Sequence, residues 1–437
     1  MRIAALSALL AFAVACDNSA SGPMPPTSPM RKDPTVVPSS APSGAAEAPK
    51  GDTTYYFGVR ETHTNITFQS KNDLTDILGA SHNVVGSATI NFEAGSGSCD
   101  LSVPAATLNS GMSDRDRAMM SATWLNVKQF PNIEFKGEKA SLVEKPNLWK
   151  VDGKFTLRGV TKDLSVTAKV RPLPASVGQK LGFGDGPVLK VETQFKVKLA
   201  DYGIEIPATA VATVQPEISI GIDIWGSTVK PAAFVAKAPE EEGPIKRTWK
   251  PKVSDAGIDG TVYVLGKKPQ LATITAVSEA ELEKITAKTS TVVGYVGLDK
   301  AKGTGKVRLA IPVDELDTGI ALRNEHLRTK DWLDSTQFRT IEFESTKATK
   351  KDEKTWSVEG EFSMHGVKKP ITVEIVVREI PLELIKKAHW GETPGLGFAT
   401  SFKLKFSDFG VKLPSAAAGK VNDELAVSFD LVGLEKE

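Results

Sequence analysis

Side chains able to carry out a reaction are few in this 437-residue sequence, and their spacing does not gather them. The five histidines, His63, His82, His326, His365 and His389, show no paired interval that would set two imidazoles on one metal. Cysteine occurs twice, at Cys16 and Cys99, so the chain carries neither a disulfide framework nor a redox pair. Cys99 then counts as a small apolar residue. Asp114-Arg115-Asp116 groups two carboxylates around a guanidinium, and suits the first turn of a short helix, which it would cap and charge. A glycine-rich phosphate loop and a nucleophile elbow are both absent from the sequence. The expectation is a protein without catalysis, metal or cofactor. Lys plus Arg (54) nearly equal Asp plus Glu (53), leaving a net charge of +1. That balance argues against nucleic acid, which is bound through a basic excess, and offers no polybasic patch to anionic lipid heads.

What remains is apolar surface, since 41% of the residues are hydrophobic. At the N-terminus, Arg2 precedes an apolar run from Ile3 to Ala15 that is too short to span a bilayer, so residues 1–15 read as a signal peptide. The run ends Ala13-Val14-Ala15-Cys16, which has two readings. Small residues at Ala13 and Ala15 fit an ordinary signal-peptidase site; the following Cys16 approximates a lipobox, in which the cysteine becomes the lipidated first residue. Residues 16–50 carry Pro25, Pro26, Pro29, Pro34, Pro38 and Pro42 among Ser, Thr and Ala. Such a stretch buries too little apolar surface to offset its ordering entropy, and reads as a disordered tether. The tether favours the second reading: a lipoprotein of the periplasm or cell envelope, held to a membrane at Cys16. A second linker, 228–246, contains Pro231, Pro239, Glu240-Glu241-Glu242 and Pro244, and separates segments 51–227 and 247–437.

Those two segments are copies of one unit. At an offset of 208, Leu108-x-x-Gly111 becomes Leu316-x-x-Gly319, Arg115 becomes Arg323, Trp124-Leu125 becomes Trp332-Leu333 and Ile133-Glu134-Phe135 becomes Ile341-Glu342-Phe343. After one deletion, Trp149, Gly153, Phe155 and Gly159-Val160 correspond to Trp356, Gly360, Phe362 and Gly366-Val367, and Asp201-Tyr202-Gly203 to Asp408-Phe409-Gly410. Self-similarity at a fixed offset over this length marks an internal duplication.

The texture of each copy is β. Leu164-Ser-Val166-Thr-Ala168-Lys-Val170 and Ile371-Thr-Val373-Glu-Ile375 alternate apolar with polar, which gives a strand one buried face. Phe195-Lys-Val197-Lys-Leu199 and Phe402-Lys-Leu404-Lys-Phe406 do the same with lysine outward. Gly159 and Gly366, set between alternating runs, suit hairpin turns. Asp114 to Trp124 and Arg323 to Trp332 lack the alternation and are predicted to form one short helix per copy. Short strands interrupted once by a helix imply a closed antiparallel barrel or a sandwich.

The stretch from Leu108 to Phe135 resembles the central signature of the YceI-like polyisoprenoid-binding family. The second copy keeps part of it as Arg323-Asn324-Glu325-His326-Leu327, Trp332-Leu333-Asp334 and Phe338-Arg339-Thr340-Ile341-Glu342-Phe343. The family's next element looks like Gly153–Lys162 and Gly360–Lys369, and its late Asp-Phe-Gly element like Asp201-Tyr202-Gly203 and Asp408-Phe409-Gly410. Departures are Ala118-Met119 where His-Leu is usual in copy one, and Arg339 in place of a proline in copy two. The resemblance implies two tandem lipocalin-like antiparallel β-barrels, each with an elongated apolar cavity for a polyisoprenoid chain or isoprenoid quinone.

An eight-stranded barrel is at the size where side chains either fill the interior or leave room for one slender ligand. Alternation points inward Ile133, Phe135, Phe155, Leu157, Phe195 and Val197 in copy one, and Ile341, Phe343, Phe362, Met364, Phe402 and Leu404 in copy two. Trp124 and Trp332 fall at the helix-to-strand junction, where they line a barrel mouth or plug it. Each of these positions also reads as ordinary core. Two functions follow: a binding protein that sequesters or carries an isoprenoid lipid, or a lipid-tethered interaction module with solid barrels. Arg339 and the lysine-rich strands mark copy two as the half less suited to a ligand.

Overall fold

The computed structural model describes residues 49–72, 74–231 and 251–437. The signal peptide, Cys16 and most of both linkers lie outside those residues.

In the first copy the alternating runs form β1 (Thr53–Phe57), β2 (Thr64–Lys71), β3 (Asp76–Ser81), β4 (Val85–Asn91) and β5 (Ser96–Pro104). Helix α1 (Ser113–Met120) follows, then β6 (Asn132–Glu144), β7 (Leu148–Leu157) and β8 (Val160–Leu173). Helix α2 (Ala175–Leu181), β9 (Val188–Lys198) and β10 (Glu217–Ser227) complete the copy. All neighbours are antiparallel, in the order β1-β4-β5-β6-β7-β8-β9-β10, and β1 meets β10 at Tyr56–Ser227 to close a ring of eight. Along its earlier half β10 pairs instead with β2, which carries β3. Closure leaves no long open edge and decides for the barrel over the sandwich, so the predicted fold is the observed one.

The second copy repeats the plan with β11 (Thr261–Leu265), β12 (Ala272–Glu279), β13 (Lys284–Thr289), β14 (Val293–Asp299), β15 (Thr304–Pro312), α3 (Ala321–Arg328) and β16 (Thr340–Lys350). It continues with β17 (Thr355–Met364), β18 (Val367–Ile380), α4 (Leu382–Lys387), β19 (Gly395–Lys405) and β20 (Glu424–Glu435), and closes through β11–β20. The helices predicted over 114–124 and 323–332 end earlier, at Met120 and Arg328. Helices α2 and α4 had no helical signal in the sequence: each is about two turns long and starts directly after a proline, Pro174 or Pro381.

The shared motifs build one end of each barrel. Arg158 (φ 50°) and Gly159 (φ 74°) form the two-residue loop between β7 and β8, as His365 (φ 51°) and Gly366 (φ 74°) do between β17 and β18. Two positive φ values in succession define the type I′ turn that matches strand twist, and glycine takes its second position without strain. Each turn latches onto the late Asp-aromatic-Gly motif. Arg158 donates to Gly203 O and, at 3.0 Å, to Ala122 O, while His365 Nδ1 lies 3.2 Å from Phe409 O. The motif aromatics pack inward, Tyr202 edge-on to Phe155 at 5.7 Å and Phe409 to Phe362 at 5.6 Å.

The barrels interlock reciprocally. Leu74, at the tip of the β2–β3 hairpin, is buried with Leu271, Ile385 and Trp390 of the second barrel. Leu282, at the equivalent tip between β12 and β13, is buried with Val177, Leu181, Phe183 and Trp225 of the first. Between the tips, Lys288 Nζ donates to Asn109 O at 2.5 Å and Asn109 Nδ2 to Asp317 Oδ2 at 3.1 Å.

Candidate functional site: the interior of the first barrel

The alternation that makes these strands points one row of apolar side chains into each barrel, but the two interiors differ greatly. The first encloses a cavity of about 730 Å³; the second retains about 50 Å³. Ligand pockets fall in the range of ~300–1,000 Å³. The smaller space is near the volume of a water or two.

Trp124, Ile133, Phe135, Phe155, Leu157, Phe195 and Val197 all line the first cavity. In the second barrel Phe343, Phe362 and Phe402 border the residual space, whereas Ile341, Met364 and Leu404 are buried in the core away from it. Trp332 packs edge-on to Phe406 at 6.0 Å and does not line that residual space. The sequence reading missed further wall residues: Ile218, Ile220, Ile222 and Ile224 on β10, and Leu101 and Val103 on β5. The β10 row was detectable, because Glu217-Ile-Ser-Ile-Gly-Ile-Asp-Ile alternates as cleanly as any other strand. Cys99, a free thiol, also lines the wall, and burial pushes its pKa up.

Strand register shows what fills the second barrel. Ala168 sits opposite Trp149 on β7; at the same place opposite Trp356 stands Ile375. Val191 pairs with Ile224, and its counterpart Phe398 with Leu431. Ile222 pairs with Thr193, and Phe429 with Thr400. Ala88, opposite Tyr55, becomes Val296 opposite Tyr263. The added rings interlock, with Phe402 against Phe429 at 5.9 Å and Tyr263 against Phe398 at 6.3 Å. Small inward residues at four positions therefore keep the first barrel hollow.

Polar groups gather along one part of the cavity wall. Thr67, Ser70 and Thr75 come from the β2–β3 hairpin, Asp114 and Arg115 from α1, and Thr209 and Thr213 from the loop before β10. Asn72 Nδ2 donates to Ala212 O at 3.2 Å and Thr75 Oγ1 to Thr213 O at 2.8 Å, tying that loop to the hairpin. Lys268, Gln270, His389 and Trp390 of the second barrel line the same cavity. Helix α1 has Met112 at its N-cap with no side-chain cap, so Asp114 and Asp116 charge its first turn as expected but do not cap it. Instead Asp114 pairs with Arg117, and Asp116 Oδ1 accepts from Ser110 N at 2.8 Å. Burial lowers the Arg115 pKa and raises that of Asp116. His326, the motif histidine of the second copy, lies exposed on α3. Among the described residues, no three His, Cys, Asp or Glu side chains could hold a metal ion together.

Closed eight-stranded barrels with an unfilled apolar interior are the class that can hold one small apolar ligand. The sequence profile of the YceI-like domain matches residues 57–225 and again 267–433, and the chain belongs to that family. It is 30% identical over 145 residues to a UPF0312 protein of Pseudomonas savastanoi pv. phaseolicola, covering 33% of this chain and 70% of that one. It is 29% identical over 141 residues to Protein YceI of Shigella flexneri, covering 32% and 68%. Among solved structures, Burkholderia cenocepacia BcnA aligns with a TM-score of 0.33 at 22% identity, over 38% of this chain and 98% of that one. A polyisoprenoid binding domain from Saccharophagus degradans aligns with a TM-score of 0.32 at 14% identity, over 41% and 100%.

Proposed function

We propose that this chain is an exported, lipid-anchored binding protein that sequesters or carries one polyisoprenoid or isoprenoid-quinone lipid in its first barrel, without catalysis. The second barrel is its solid structural partner. The observation that carries the reading is the contrast between an apolar cavity of about 730 Å³ and one of about 50 Å³ on the same frame. Family membership supports the ligand class, as the sequence motifs imply it.

The energetics suit a carrier. Burying one five-carbon isoprene unit contributes roughly 3–4 kcal/mol at about 0.8 kcal/mol per methylene. Three units therefore reach the range of the association cost, about 4–15 kcal/mol, and exceed its lower values when the lipid starts in water. A lipid starting in a bilayer gains almost nothing by moving into an apolar barrel. Such a protein shields a chain in transit and does not extract it tightly.

Export and anchoring rest on Ala13-Val14-Ala15-Cys16 and the tether behind it. No helix among the described residues is long and apolar enough to cross a membrane. The anchor in this proposal is a lipid on Cys16. Native mass spectrometry of the full chain from its producing cells, followed by lipid extraction, is expected to show one isoprenoid lipid per chain. A lipid-free protein that also fails to take up farnesol in titration would overturn the binding reading. Radiolabelled palmitate is expected to label the chain and not its Cys16→Ser variant; an unlabelled wild type would sink the anchor.

A further inference from the structure

The hollow interior of the first barrel is not walled by the first barrel alone. Lys268, Gln270, Ala388, His389 and Trp390 of the second barrel border the same cavity, as does the loop that carries Thr209 and Thr213. Two segments hold these five residues: the single turn Pro269–Leu271 with the lysine before it, and the residues that follow α4. Lys268 Nζ donates to His389 O and ties one segment to the other. Leu271, Ile385 and Trp390 are buried with Leu74, at the tip of the first barrel's hairpin, and Ala212 of the threonine-bearing loop packs against them. The second barrel thus sets a fixed ledge at the polar rim of the cavity.

The corresponding turn of the first copy differs in one respect. Leu181, Gly182 and Phe183 stand where the second copy has Ala388, His389 and Trp390, and Arg60 Nε donates to Gly182 O at 2.9 Å as Lys268 does to His389 O. Gly182 has φ 75° and His389 φ 56°. Glycine adopts that left-handed backbone freely, whereas a residue with a β-carbon is strained there. A β-carbon on Gly182 would also lie 2.8 Å from the Arg60 guanidinium. Leu181 and Phe183 are buried with Leu282 of the second barrel and line neither interior. The second copy therefore keeps a side chain where the backbone favours none, and that side chain borders the cavity. Strain held at such a place points to a role in binding. His389 and Gln270 are exposed, and neither side chain has a hydrogen-bond or ion-pair partner among the described residues.

We propose that the binding site is shared between the barrels. The solid second barrel supplies its outer wall through Gln270, His389 and Trp390, and a long prenyl chain leaving the first barrel lies across them. Ligand sites form preferentially where two domains meet, and the ring faces of His389 and Trp390 give an isoprene unit apolar contact outside the barrel. This rests on the binding function proposed above and deepens it, because the second barrel becomes a contact of the ligand. A ligand that touches both barrels also favours their docked arrangement by mass action.

Isothermal titration of the full chain with geranylgeraniol tests it in His389→Gly and in the double variant that adds Gln270→Ala. Both side chains are exposed, and glycine at position 389 relieves the backbone, so the urea midpoint of the ligand-free His389→Gly chain is expected to hold or rise. Affinity for geranylgeraniol is expected to fall about fivefold in His389→Gly and more than about tenfold in the double variant. Wild-type affinity in the double variant overturns the shared site and leaves binding inside the first barrel standing. A loss of affinity in His389→Gly matched by a lower urea midpoint does the same, as it marks a seal between barrels and not a ligand contact. A wild-type chain that binds neither geranylgeraniol nor farnesol overturns both readings.

Discussion

The two barrels of this chain share strand order, closure, turn types and end-capping aromatics, yet one is hollow and the other solid. Their difference lies in the size of a few inward side chains, with Ala168, Val191, Ile222 and Ala88 replaced by Ile375, Phe398, Phe429 and Val296. Backbone closure fixes the outer frame, and the side chains then divide a constant interior between core and cavity. A filled interior gains dispersion and burial that a hollow one forgoes. The hollow copy keeps its binding space at a cost in stability, while the solid copy is tied to it through Leu74 and Leu282.

If that account holds, equivalent truncations in the two barrels will differ. Phe398→Ala leaves a new void in a packed core and should destabilise the second barrel by about 3–5 kcal/mol. Val191→Ala removes two methyl groups from the edge of an existing cavity, and should cost about 1.5 kcal/mol in transfer energy with little added cavity term. Urea unfolding of the lipid-free chain, resolved by barrel, measures both. Equal losses would mean that the second barrel is not solid in solution.

The reverse exchange sharpens the comparison through binding. Ala168→Ile, Val191→Phe and Ile222→Phe together give the first barrel the three largest of the four interior residues that fill the second. Farnesol affinity is expected to fall by at least a hundredfold, about 2.7 kcal/mol. The urea midpoint should hold or rise, because the new groups enter empty space and do not overpack a core. Retained binding in a folded triple variant would place the ligand elsewhere on the chain.

How far the sequence anticipates this differs by scale. Period-two alternation was enough to orient Ile133, Phe135, Phe155, Leu157, Phe195 and Val197 onto the cavity wall, because register fixes which face a side chain takes; Trp124 was placed only by its position after the helix. Cavity size was not legible, since it depends on which residues meet across the barrel. The sequence marked the second copy as less suited to a ligand through Arg339 and the strand lysines, but Arg339, Lys403 and Lys405 are exposed and fill nothing. Ile375, Phe398 and Phe429 fill it, and each looks like an ordinary strand residue until its register partner is known. The interlocking tips were hidden for the same reason: Leu74 and Leu282 are loop leucines whose burial comes only from the other barrel.

The smallest expected difference concerns acid. His63 is 5% exposed and packs against Phe183 at 5.1 Å with the rings tilted by 41°; its counterpart in the second copy is Leu271, 2% exposed. His63 Nε2 lies 3.1 Å from Leu181 O, and its Nδ1 has no hydrogen-bond partner. Burial pushes its pKa down to about 4, with Lys420, Arg60 and Arg323 adding to the depression and the Leu181 carbonyl opposing it. A histidine depressed in the folded state is protonated more readily when unfolded, so its contribution is complete above about pH 6.5 and declines as pH falls toward 4. From pH 7 to pH 5 the loss is about 2 kcal/mol, at 1.36 kcal/mol per pKa unit. His63→Leu, which installs the residue of the second copy, should remove that share of the acid sensitivity. His82, also depressed to about 4 by burial, supplies a further share that persists in the variant. Urea midpoints of wild type and His63→Leu between pH 5 and pH 7 decide it: parallel pH profiles would show that His63 is not held neutral where the barrels meet.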